Sequence, residues 1–418
     1  MERIRQNTPA LLFVSDNFPP VIGGSAMVYD RLCRLLQDHS GKPGAIRVVA
    51  LSSTHGFDGA EKAGWRVHDR TCGYPIHRRR HLATPQIRPV TGLVSRLHNL
   101  LDEVRFSTAL LFHLVRTVRR EKIDIICLGE LLTLGWLAGP LRWMTRRPVI
   151  LYTHGEEITQ QVDTIFGRRR GRFLANASHV IAVSRFCRSQ ILERYGVEPS
   201  HVSVVPNGVD LNRFTAGARD QEFHARFAVT DGPLVVAAGR HVERKGFDYL
   251  IEAMPLVQRH FPTVRLVLAG TGPLTPHLKA RCADLDMDGI IRFTGPLSDS
   301  DLVRLYRAAD LFAMPNRTMP DGDTEGFGLV FLEAAACGLP SLAGRAGGAV
   351  EAVIDGTTGC LVQADTPGAV ADALIRLLGQ PDLLQAMRAA ARPHAETFSW
   401  ENSADCFVKV LQLLDKAQ

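Results

Sequence analysis

Short runs of apolar residues alternate along this chain with longer stretches in which apolar positions recur at helical spacing. Leu11–Val14, Ile46–Leu51, Ile123–Leu128, Val149–Tyr152, Val180–Val183 and Val202–Val205 are continuous apolar runs, the mark of strands buried on both faces of a parallel sheet. Between them, Ser25–Gln37 and Phe106–Arg120 have the spacing of amphipathic helices. The alternation restarts after Pro206, with strands expected at Leu234–Ala238, Val264–Ala269, Ile290–Phe293, Leu311–Met314, Ser341–Ala343 and Cys360–Val362, and a helix at Phe247–His260. Such a pattern predicts two doubly wound α/β domains, 1–205 and 206–395, meeting in the turn-rich Pro206-Asn207-Gly208-Val209-Asp210. Ligands of open α/β sheets collect at the carboxyl ends of the strands, so two such edges facing one another predict an active site in the cleft between them.

Composition changes this picture little. A chain of 418 residues is too long for one ordinary core, and 45% hydrophobic with 22% charged residues suits a globular enzyme. No apolar run is long enough to span a bilayer. Met1–Pro9 runs into the first strand with no small-residue cleavage site, which predicts a cytoplasmic protein without a signal peptide. The eight cysteines are scattered singly, without zinc spacing, and are expected to be mostly small buried residues.

Charge changes it more. Lys and Arg outnumber Asp and Glu by 29 to 17 over residues 1–205 and are outnumbered 20 to 26 beyond, so the net +6 hides a front half of +12 and a back half of −6. Clusters at Arg78–Arg80, Arg116–Arg120 and Arg168–Arg172 suggest that the front half faces something anionic.

The most informative chemistry lies at Asp323-Thr-Glu-Gly-Phe-Gly-Leu-Val-Phe-Leu-Glu333, where two glutamates flank a glycine turn that opens a helix. Gly326 and Gly328 allow a diphosphate to approach backbone N–H groups at the positive end of the helix dipole. Glu325 is placed to accept hydrogen bonds from sugar hydroxyls, and Glu333, farther along, from a ribose diol. After strand Leu234–Ala238, Arg240 and Lys245 offer a bidentate guanidinium and a compact ammonium to the same diphosphate. Gly23 and Gly24 open the first helix and offer close backbone approach from the opposite side. Neither they nor Gly270-Thr271-Gly272-Pro273 complete a dinucleotide fingerprint. His154 ends strand Val149–Tyr152, where it is placed to bond a sugar hydroxyl or organise the reacting centre. Asp321-Gly322-Asp323 reads as turn chemistry rather than a metal site.

In order and spacing, these residues, together with Val183-Ser184, Gly347-Gly348 and the closing Phe398-Ser399-Trp400, resemble the retaining glycosyltransferases of family 4 over nearly the whole chain. The resemblance implies the GT-B architecture, two facing Rossmann-like domains, with 396–418 as a C-terminal helix crossing back to the first. It assigns Arg240 and Lys245 to the donor diphosphate and Glu333 to the ribose. Glu325 and the backbone of Gly326, Phe327, Gly328 and Leu329 go to the transferred sugar, His154 to the anomeric centre, Gly23 and Gly24 to the phosphates, and Gly295 to Leu297 to the base.

It further implies no metal and no cofactor beyond the nucleotide-sugar donor, retention without a protein nucleophile, and no nucleic-acid partner. Phe312–Thr318 looks most like bacterial GDP-mannose-dependent mannosyltransferases acting on phosphatidylinositol; UDP-glucose and UDP-N-acetylglucosamine enzymes share the other motifs. The acceptor is expected to be a glycan or lipid, with peripheral contact at the inner face of an anionic membrane. A sugar-nucleotide epimerase, which would release the nucleotide without an acceptor, is the alternative of another class. A phosphorylase lacks its cofactor lysine and chain length here, and an inactive nucleotide-binding subunit is disfavoured by Arg240, Lys245, Glu325 and Glu333 together.

Overall fold

A computed structural model describes residues 9–20, 24–53, 60–78, 83–84, 93–162, 165–227 and 232–416. Its two large sheets are parallel throughout. Across the first, the strands run in the order Ile76–His77, Ile46–Ala50, Leu11–Ser15, Ile125–Gly129, Val149–Thr153, His179–Ala182 and Val202–Val204. Across the second they run Ile291–Gly295, Arg265–Ala269, Leu234–Ala238, Leu311–Met314, Ser341–Gly344 and Gly359–Val362. Each sheet grows outward on one side of its first strand and then restarts on the other, so helices cover both faces. That is why the strands read as unbroken apolar runs: Leu11–Val14 and Leu234–Ala237 are wholly buried.

The order reverses beside each first strand, and this switch point opens at the carboxyl ends. In the first sheet it is bounded by Asp16 and Glu130, in the second by Gly239, Pro315 and Asn316. The two edges face one another and touch. Ser184 Oγ donates to the Gly326 carbonyl at 2.8 Å, Glu351 accepts from the N–H groups of Arg185 and Phe186 at 3.1 and 2.9 Å, and Gln161 N–H donates to Asp321 O at 2.6 Å.

The final helix, Trp400–Asp415, is started by Ser399, whose hydroxyl accepts from Asn402 N–H. It packs on helix Gly24–Ser40 of the first half, and Phe407 stacks on Tyr152 at 6.3 Å.

Two details depart from the sequence reading. The strand Ile76–His77 and the two-residue pairing of Ser52–Ser53 with Ala83–Thr84 are too short to give a periodic signal. The helix expected from Phe106 begins at Leu93 and runs 28 residues to Arg120. No residue from 96 to 109 is buried, so the extra turns lack the core-facing periodicity that marked the rest.

Candidate active site

The second domain builds one wall of the cleft from two loops. After strand Leu234–Ala238 the chain makes a short turn, Glu243–Lys245, closed by Gly246 at φ 72°. A Cβ at Gly246 would collide with the Pro315 carbonyl, so the close approach needs glycine as much as the left-handed backbone does. This turn drives Lys245 inward, where Nζ donates to Glu325 Oε2 at 2.5 Å with only 8% and 9% of the two residues exposed. Burial alone would raise the Glu325 pKa; the charges of Lys245 and Arg244 outweigh it and hold the carboxyl below its usual range.

The Glu325 loop is itself pinned. Its carbonyl accepts from Gly348 N–H at 2.7 Å, and the buried Asn316 side chain ties Gly344 N–H and Ala346 O, both at 3.1 Å. Arg244, next to Lys245, contacts both carboxylate oxygens of Asp323 at 3.1 Å and reaches across the cleft to Glu156 at 3.2 Å.

Helix Leu329–Ala336 starts at Gly328, φ 94°, and Glu333 lies one turn in. Burial pushes the Glu333 carboxyl up to about 7, against the opposing Arg213 charge and the hydrogen bond from Tyr306 Oη at 3.4 Å. With Leu329, Arg213 and Trp400 it lines a pocket whose other side is Met27 and Asp30 of the first domain.

The first domain supplies the facing wall from the ends of its central strands. His154 follows strand Val149–Thr153, and the buried Glu157 carboxylate accepts from the N–H groups of His154 at 2.5 Å and Gly155 at 3.1 Å, fixing the turn. Burial drives the His154 pKa down to about 3, so the ring is neutral near pH 7. Its Nε2 lies 2.6 Å from Tyr29 Oη, which donates to Glu130 at 3.4 Å. Burial raises the carboxyl pKa of Glu130, and repulsion from Glu157 and Asp16 adds to it.

The walls meet where Gly155 packs on Gly326: a Cβ on Gly326 would strike the His154 carbonyl, and one on Gly155 the Gly326 Cα and Cys187 Sγ.

His154, Lys245, Glu325 and Gly326 thus converge at one contact. Phe327 is buried against Phe398, with ring centroids 5.7 Å apart, while Gly328 and Leu329 form the helix start. Arg240 is exposed at the end of its strand, and a Cβ at Gly24 would meet nothing within 4 Å. Gly295, at φ 71°, and Leu297 sit at the edge strand of the second sheet. Gly23 lies outside the described residues.

The sequence alone did not single out Tyr29, Glu130, Glu157, Arg244 and Glu351, and it marked Ser184 only as part of the Val183-Ser184 motif. Glu157 had a signal in its spacing from His154; Glu130 and Tyr29 had none, because only sheet order brings them to the histidine. Asp323 is held by Arg244, and Asp321 accepts from Gln160 at 3.0 Å. Among the described residues there is no grouping of three metal ligands.

Comparison with known proteins bears on these features. The family model "Glycosyltransferase Family 4" matches residues 22–213, and "Glycosyl transferases group 1" matches 232–380. A relative from Mycolicibacterium smegmatis, a GDP-mannose-dependent alpha-(1-6)-phosphatidylinositol monomannoside mannosyltransferase, is 36% identical over 94% of both chains. A Corynebacterium glutamicum relative, named for the same reaction on a monoacylated acceptor, is 31% identical over 96% of this chain and 97% of its own. Among solved structures, Anabaena HepE in complex with UDP and glucose superposes with a TM-score of 0.73 at 21% identity, covering 97% of this chain and 99% of that one.

Proposed function

The chain belongs to glycosyltransferase family 4, has the GT-B fold and is a glycosyltransferase, and from that premise we propose that it transfers mannose, with retention, from GDP-mannose to a hydroxyl of a lipid-linked acceptor of the phosphatidylinositol mannoside kind. The names of the two relatives, which match over nearly their full length, support this donor and acceptor. The observation that carries the site is the buried Lys245–Glu325 pair beside the Gly155–Gly326 contact.

In this reading Lys245, exposed Arg240 and the N–H groups at the start of helix Leu329–Ala336 receive the diphosphate and stabilise the charge that develops as its bond to the sugar breaks. Glu325, held ionised by Lys245 and Arg244, accepts hydrogen bonds from the sugar. Glu333 accepts from the ribose. Neutral His154 presents its ring beside the anomeric centre, and closure along Gly155–Gly326 and Ser184–Gly326 excludes water.

Fixed positive groups take the place of a metal ion, and no cofactor is required. The acceptor is met at the inner face of an anionic membrane. The epimerase alternative has no support among relatives that are transferases.

The test is a transfer assay on the full chain with phosphatidylinositol monomannoside, excess chelator, and GDP-mannose, UDP-glucose or UDP-N-acetylglucosamine in parallel. Transfer is expected from GDP-mannose alone and undiminished by chelator. Faster transfer from a UDP-sugar would overturn the donor; loss in chelator with rescue by manganese would overturn the metal-free reading and restore Asp321 and Asp323 as candidates.

A further inference from the structure

Among the described residues, four other than glycine have a positive φ. Lys122, Arg146 and Asp286, at φ 52–57°, follow helices, where the left-handed conformation is ordinary. Glu130 is different. It sits at φ 80°, ψ 108°, outside that region, at the carboxyl end of strand Ile125–Gly129 and on the switch point of the first sheet. A residue held in so sparse a region costs about 1–3 kcal/mol and persists only where the surrounding structure holds it. Local structure does not account for the glutamate: it precedes the short helix Leu131–Leu134, yet its side chain makes no capping bond to that helix. The carboxylate is turned to Tyr29 instead.

Tyr29 is wholly buried. Its ring centroid lies 4.8 Å from that of Phe13, 5.5 Å from Tyr152 and 5.1 Å from His154, and a Cβ at Gly129 would come within 2.7 Å of the ring. The hydroxyl has two partners, His154 Nε2 at 2.6 Å and Glu130 Oε1 at 3.4 Å, and one proton to give. Two arrangements satisfy all three groups. With Glu130 ionised, Tyr29 donates to it and accepts from His154 Nε2–H, which leaves Nδ1 a bare acceptor. With Glu130 protonated, the carboxyl donates to Tyr29, Tyr29 donates to Nε2, and the ring proton sits on Nδ1. Passing from the first to the second takes up one proton, which binds at Nδ1 while the Nε2 proton moves to Tyr29 and the Tyr29 proton to Glu130. The ring is neutral in both, in keeping with its depressed pKa. Among the described residues no group bonds Nδ1, and His154 is partly exposed, so this is the nitrogen left for a ligand.

We propose that Glu130 is a positioning residue for transfer: acting through Tyr29, it decides which ring nitrogen of His154 carries the proton, and so whether His154 offers the reacting sugar an acceptor or a donor. The proposal rests on the place beside the anomeric centre given to His154 above. Positive charge develops there as the bond to the diphosphate breaks, and a bare Nδ1 stabilises it where an N–H opposes it. Ionised Glu130 therefore sets the active form. The surroundings of Glu130 make its charge responsive to pH. Burial raises its carboxyl, repulsion from Glu157 and Glu156 of the turn after Val149–Thr153 and from Asp16 of the first strand's end adds to it, and a hydrogen bond from Ser25 opposes them. Tyr29 and His154 complete the ring of titratable groups around it.

The experiment is nitrogen NMR of the full chain carrying labelled histidine, free of substrates, from about pH 5 to 9, with the His154 signals assigned by their loss in His154→Asn. Wild-type His154 is expected to pass from the Nδ1–H to the Nε2–H tautomer as pH rises, with a midpoint above the usual carboxylate range. In Glu130→Gln, which removes the titrating group, and in Tyr29→Phe, which breaks the chain of bonds, the His154 signals should not change with pH. Transfer at saturating donor and acceptor gives the second readout: wild-type kcat should rise at least threefold over the same range, and Glu130→Gln should be flat and at least threefold below the wild-type plateau, with both KM values within twofold. A single wild-type tautomer throughout, a tautomer change that survives Glu130→Gln, or a kcat indifferent to the change each overturns the proposal. So does a tenfold rise in acceptor KM with kcat unaltered in Glu130→Gln, which would place Glu130 against the acceptor itself. Glu130→Gln keeps the size of the native side chain, so it decides the matter even where Tyr29→Phe does not fold. No transfer from any donor, with the tautomer still following Glu130, would instead overturn the proposed activity and leave the coupling standing.

Discussion

Lys245 and Glu325 stand 80 positions apart in the chain and 2.5 Å apart in the fold. Their pairing means that neither acts alone: in the proposed reading, the ammonium that would receive a diphosphate is the same one that keeps the carboxylate assigned to the sugar ionised. Lys245→Ala is expected to cut transfer at least about 100-fold, since one lost donor to a developing charge costs roughly 3 kcal/mol, and Glu325→Ala, which removes the sugar's acceptor and the ammonium's partner, is expected to cut it by at least about 100-fold as well. Each also strands a buried charge, which destabilises by about 3–5 kcal/mol when a partner is removed. Lys245→Met/Glu325→Gln should therefore recover melting temperature without recovering activity; recovery of both would show the pair to be a structural bridge only.

Glu333 gives a pH signature. Its carboxyl titrates at about 7, raised by burial, so in the free protein it is protonated at pH 6 and ionised at pH 8. Only the ionised form accepts from both hydroxyls of a diol, so nucleotide affinity should rise with pH between 6 and 8, and Glu333→Gln should flatten the rise. A flat wild-type titration by calorimetry would remove Glu333 from the ribose.

Among the elements, helix Leu329–Ala336 shows how a local signal acquires a long-range role. Its glycine turn was legible in the sequence, but one reason for Gly326 was not. Its backbone is not left-handed; it lacks a side chain because the His154 carbonyl of the other domain occupies that space. Gly326→Ala is expected to fold and melt as wild type, since the two domains need only part slightly, yet to lose at least tenfold in kcat. Unchanged turnover would mean that catalysis does not require this contact. Helix Leu93–Arg120 fails in the opposite direction. Periodicity reports a buried face, so it marks the helix only from Phe106 and gives no signal over residues 96–105, where nothing is buried.

For the whole molecule, closure is held by Glu351 and Ser184 together with the contacts of Gln160 and Gln161 to Asp321 and of Arg244 to Glu156. Glu351 of the second domain accepts from the first N–H groups of helix Arg185–Tyr195 in the first, beside Ser184, whose hydroxyl caps that helix and also donates to Gly326 O. A lost cap costs about 0.5–2 kcal/mol. Because this one spans the cleft, Glu351→Ala should shift the molecule toward an open form, seen as a larger radius of gyration by X-ray scattering and a several-fold higher KM for donor. An unchanged radius and KM would sink that role.

The sequence by itself determined twelve of the strands, the parallel class and the residue types on the second domain's wall of the cleft, because apolar runs and glycine turns are consequences of local backbone and burial requirements. Only the tertiary structure decided that Lys245 pairs with Glu325, that Tyr29 meets His154, and that Arg78 and Arg170 of the first half's basic clusters turn to internal bonds. Those outcomes depend on strand order and on how two sheets face each other, and neither leaves a periodic trace along the chain.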